Sequence, residues 1–70
     1  MMRVGVMHKN VPNMISQITN AFSSANINIE NMANGSKGEI AYTILEVGEI
    51  SDAVINAVKA IDGVTNVRFF

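Results

Sequence analysis

The apolar residues of this chain change period twice in each half, from alternation to helical spacing and back. No other feature limits the fold as tightly. Residues 3–8 alternate as a strand, with Val4 and Val6 set against Gly5 and Met7. Asn10-Val11-Pro12-Asn13 then marks a helix start, with Pro12 suited to the first helical position and Asn10 to the cap. Val11, Met14, Ile15, Ile18, Ala21, Phe22 and Ala25 follow at helical spacing, opposite a polar face of Asn13, Ser16, Gln17, Asn20, Ser23 and Ser24. Of these, Met14, Ile15, Ile18 and Phe22 are expected in the core. Asn26 suits a left-handed helix stop. Ile27 and Ile29 alternate with Asn28 and Glu30, and the strand is expected to run on toward Asn34 with a bulge near Asn31-Met32.

Gly35-Ser36-Lys37-Gly38 is turn material, and residues 39–47 form the strongest strand. Its apolar residues occupy both parities, which predicts a central strand covered on both faces. Ser51 and Asp52 open a second helix with stripe Val54, Ile55, Val58 and Ile61 and Ala57 beside it; Asp62-Gly63 stops it. Residues 64–70 are a last strand. Right-handed crossovers and one stripe per helix predict a ferredoxin-like α+β sandwich, βαββαβ, with a four-stranded antiparallel sheet and two helices on one face. Strands one and three are central; two and four are edges.

Seventy residues make one domain, 1–70. A chain this short buries only about 60% of its unfolded surface. Apolar residues make up 49% and charged residues 16%, a surplus that points to a subunit interface. No cysteine is present and only one histidine, which excludes disulfides, thiolate metal sites and a His-rich metal cluster. The net charge is −1 and the charges are scattered in sequence, which argues against nucleic acid. No apolar run approaches a membrane span and no signal peptide is visible, so a cytoplasmic domain is expected. The doubled Met1-Met2 is read as a start placed before a fragment of a longer protein.

Metal carriage on this fold needs a Cys-x-x-Cys loop, base stacking needs aromatics on the central strands, and acyl-phosphate hydrolysis needs an arginine with a phosphate-cradling loop. The first is missing, Tyr42 is alone for the second, and the first loop offers only Lys9 for the third. No nucleophile–base pair is in view, so the chain reads as a binding module and not an enzyme. The informative segment is 7–13, joining a central strand to a helix N-terminus, where backbone N–H groups and the dipole favour a carboxylate. His8 adds a donor, and Asn10 adds donors and acceptors. A zwitterionic amino acid needs that mixture.

His8-Lys9-Asn10-Val11-Pro12-Asn13, Asn26-Ile27-Asn28-Ile29, Ala41-Tyr42-Thr43-Ile44-Leu45 and Ala60-Ile61-Asp62-Gly63-Val64 together resemble an ACT domain. The resemblance covers essentially the whole chain and is nearest to the C-terminal regulatory domains of D-3-phosphoglycerate dehydrogenases. It implies an L-serine effector that lowers dehydrogenase activity, and a homodimer joined through edge strands into an eight-stranded sheet with two symmetric pockets. It further implies that His8, Asn10 and Val11 line one side of each pocket and that Asn28 reaches in from the partner. No cofactor or metal is implied within residues 1–70, while NAD is implied for the parent enzyme. The chain departs from the family at Asn13, where glycine is frequent, and at Val11, where serine-inhibited relatives often carry arginine.

Plainer readings stand beside these. His8 is otherwise an exposed strand-end histidine, Asn10 only a helix cap, and Asn28 an outward residue on an edge strand. Asn34-Gly35-Ser36 matches a glycosylation acceptor but reads as a turn. Phe69 and Phe70 either cap the core or lie at a cut terminus. A structural ACT-type dimerisation module without an effector is the alternative function.

Overall fold

The computed structural model describes residues 2–69, so the readings placed on Met1 and Phe70 lie outside it. The elements run β1 (Met2–Lys9), α1 (Met14–Ser24), β2 (Ile29–Lys37), β3 (Ile40–Val47), α2 (Asp52–Lys59) and β4 (Val64–Phe69). The sheet order is β2-β3-β1-β4 with every neighbouring pair antiparallel, which is the expected ferredoxin-like sandwich with β1 and β3 central. Alternation explains which side of each strand is buried. Val4 and Val6 of β1 and Leu45 and Val47 of β3 meet Ile18 and Phe22 of α1 and Val54, Ile55 and Val58 of α2 in one core.

The two helices start differently. Ser51 caps α2 as expected, its hydroxyl accepting from the Val54 N–H at 3.3 Å, with Asp52 in the first turn. Helix α1 does not begin at Pro12, and Asn10 is not its cap. The Asn10 main chain N–H donates to Glu39 O at 2.8 Å and its side-chain amide donates to Gly38 O at 3.1 Å. Those bonds tie Asn10 to the β2–β3 hairpin, and the chain turns into the helix only at Asn13, which takes a left-handed conformation with φ 70° and makes no side-chain capping bond. Glycine would enter the same conformation without strain. At the other end, Asn26 takes φ 60° as a left-handed stop.

Four further expectations are corrected. Strand β2 continues through Ser36 and Lys37, so Asn34-Gly35-Ser36 lies in a strand; the loop is Gly38-Glu39, with Gly38 at φ 65°. The bulge falls at Glu30, between Ile29 and Asn31. Ile15 is 39% exposed, and Ala25 and Ala57 are exposed as well, because the core contact of α1 narrows to Met14, Ile18 and Phe22 and that of α2 to Val54, Ile55 and Val58. Strand β3 is central but not covered on both faces: Ile40 and Tyr42 on its outer side are exposed, since both helices pack on the other.

Among the described residues, no helix is long and apolar enough to cross a membrane, and no group of three or more His, Asp or Glu could hold a metal ion.

Candidate functional site around the first loop and the edge strand

His8 lies at the end of β1 with only 3% of its surface exposed. Its Nδ1 is 2.9 Å from Lys9 O, and its Nε2 is 2.9 Å from the Thr43 hydroxyl. A carbonyl oxygen only accepts, so Nδ1 carries the proton. In the neutral ring Nε2 then presents a lone pair, to which Thr43 donates. Both ring nitrogens are occupied within the chain, which the alternation pattern did not reveal.

Asn10 and Val11 are at the surface beside the hairpin loop. Asn10 stands between two clefts. One, of about 270 Å³, is bordered by His8, Asn10, Ile15, Asn34, Ser36 and Ala41, with Gly35 and Tyr42 also on its wall. The other is bordered by Lys9, Asn10, Val11, Gly38, Glu39 and Ile40, with the half-exposed Val11 and Ile40 as its apolar wall. The first cleft runs between the start of α1 and the outer edge of β2. Ile15, Asn34 and Ser36 were not foreseen as site residues. Asn34 and Ser36 share a parity, and reading 34–36 as strand instead of turn would have placed both beside Ala41 and Thr43, their partners in register.

Asn28 is exposed and precedes β2, next to Ile27, Ile29 and the polar side of α1 at Ser16, Thr19, Asn20 and Ser23. The register places Ile29 opposite Val47 and Val47 opposite Met2, whereas Lys37 pairs with Ile40 and Ile40 with Lys9. Asn28 is therefore a strand's length from Asn10, about 26 Å at the usual rise per residue. One copy gathers His8, Asn10 and Val11 at one end of the sheet and leaves Asn28 at the other.

On the outer sheet face, Glu46 accepts from Arg3 at 3.1 Å and from the Asn31 amide at 3.1 Å. The Arg3 hydrogen bond first, and the Asn31 bond second, hold its carboxyl below the ordinary glutamate range.

The strand order, the two helices on one face and the cleft where the first loop meets an edge strand define a ferredoxin-like sandwich of the ACT type. The chain belongs to the family of AHAS small subunit-like ACT domains, whose pattern it matches over residues 4–67. It is accordingly an ACT regulatory domain. No curated protein matches it. Among solved structures it is similar to the ACT domain from GTP pyrophosphokinase of Chlorobium tepidum, at 19% identity and TM-score 0.79, covering 99% of this chain and 95% of that one. A homoserine dehydrogenase from Thiobacillus denitrificans is 20% identical with TM-score 0.74, covering 97% of this chain and 16% of that one. The regulatory subunit of aspartate kinase from Thermus thermophilus is 14% identical with TM-score 0.74, covering 96% and 49%. At such identities the likeness speaks to the fold.

Proposed function

We propose that this chain senses a small amino acid in a seam between two copies of itself and passes the signal to a catalytic partner. The observation that supports it most is the cleft between α1 and β2, which opens at a sheet edge beside a helix start that no side chain caps. The first-turn N–H groups of α1 suit the effector's carboxylate. The amide of Asn10 and the cleft side of Asn34 and Ser36 offer polar partners. A second copy paired antiparallel along β2 would bring its Asn28 to the Lys37 end of the first, supplying acceptors for the ammonium and closing the cleft. His8 acts in this reading through position, holding the end of β1 against β3.

L-Serine is the first effector in this proposal, with D-3-phosphoglycerate dehydrogenase as the regulated enzyme, on the strength of the motif resemblance. A second reading rests on the family match and on the apolar wall of Val11 and Ile40: an AHAS-type assembly with an aliphatic effector. Calorimetric titration of the dimer with L-serine and, separately, L-valine distinguishes them. Saturable heat with one and not the other assigns the effector class. A folded dimer that gives no heat and no thermal stabilisation with either at millimolar concentration leaves a dimerisation module without an effector.

A further inference from the structure

The outer face of the sheet, which meets the α1–β2 cleft at Gly35 and Tyr42, carries a second pattern. Met7, Ile40 and Tyr42 are exposed there, with Ile44 and Ala33 beside them, on the side of β1, β2 and β3 that no helix covers. Around this apolar centre the register and alternation place Arg3 and Lys9 of β1, Lys37 of β2 and Arg68 of β4. The charges that look scattered in sequence are thus sorted by the pleat. Four of the chain's five cations border this face against two carboxylates, Glu46, which Arg3 already engages, and Glu39 of the hairpin loop beside Lys9 and Ile40. The rest of the chain holds one cation, Lys59, and four carboxylates.

That imbalance selects the occupant. Two such faces packed together would set like charge against like charge, which costs binding and misdirects it, so a back-to-back second copy is disfavoured. Tyr42 is the only aromatic side chain on this face among the described residues, too few to stack successive bases. The centre is otherwise aliphatic and thioether, the chemistry of a protein contact. We propose that the open sheet face docks a protein partner whose contact surface is an apolar centre bordered by Asp and Glu. Such a face is where a regulatory domain would grip the chain it controls.

The test uses the isotope-labelled chain and a blocked helical peptide of about four turns, matching the sheet's length, with leucines along one stripe and glutamates flanking it. Amide spectra should shift at Met7, Ala33 and Ile44 and leave Asn10, Asn34 and Ser36 unmoved. A peptide with lysines replacing the glutamates should bind at least tenfold more weakly, and so should the acidic peptide to a Lys37→Glu/Arg68→Glu variant whose circular dichroism is unchanged. Raising the salt concentration should weaken the interaction. Equal binding of both peptides, or no shift with either, overturns the proposal. So does an oligouridylate that shifts the same residues more strongly than the acidic peptide. Concentration-dependent shifts in the free chain at this face would assign it to stacking of copies instead.

Discussion

The hydroxyl of Thr43 and Nε2 of His8 meet at 2.9 Å between the two central strands, both side chains buried. The pair is a closed polar unit, because Lys9 O takes the remaining ring proton. Removing one partner strands the other away from water. Thr43→Val should therefore cost about 1–3 kcal/mol in urea unfolding, although the volume is nearly conserved. Adding His8→Phe to Thr43→Val should recover part of that loss, since no buried nitrogen is then left unpaired. An additive double mutant would show that the bond carries no coupling.

Asn13 supplies a second prediction. Its φ of 70° is a region that glycine enters freely and asparagine tolerates. Asn13→Ala should lose about 1 kcal/mol, while Asn13→Gly should stay within about 0.5 kcal/mol of the parent. Thermal and urea unfolding of both variants checks the order. An alanine variant as stable as the glycine one would contradict the left-handed assignment.

Glu46 responds to pH with a defined sign. Its carboxyl is held below the unfolded value, so its contribution to folding is present above the unfolded glutamate range and fades as pH falls through the folded value. Arg3→Met removes the largest cause and should move Glu46 upward toward ordinary glutamate behaviour in a side-chain carbon NMR titration. High salt should do the same in part, because the Arg3–Glu46 pair is solvated.

Gly35 lies against the Tyr42 ring: a Cβ added there would collide with the tyrosine oxygen and the ring carbons beside it. The ring is half exposed and free to swing outward. Gly35→Ala should leave the fold intact and break the contacts between the Tyr42 ring and residue 35 in nuclear Overhauser spectra. Retention of those contacts would mean the strand has shifted instead.

Much of this architecture was legible from spacing alone. The order of elements, the central placement of β1 and β3, the Ser51 cap and the left-handed stops at Asn26 and Gly63 follow from local chemistry. Tertiary bonds overrode local preference at Asn10, whose capping chemistry is spent on the hairpin. The Gly-Ser-Lys-Gly run misled for a related reason: pairing with β3 draws residues 35–37 into the ladder and leaves only two for the loop. His8 was ambiguous in sequence because nothing local foretells Thr43 as its partner. The ordering of cations onto one face was equally hidden, since it depends on pairing registers that join residues far apart in the chain.

The separation of Asn28 from Asn10 by a full strand has a genetic consequence under the proposed seam. A cell making equal amounts of intact and Asn28→Ala copies would assemble half of its pairs as hybrids, each with one sound recess and one spoiled. Dominance would then measure whether the sensor answers to a single occupied recess or requires two.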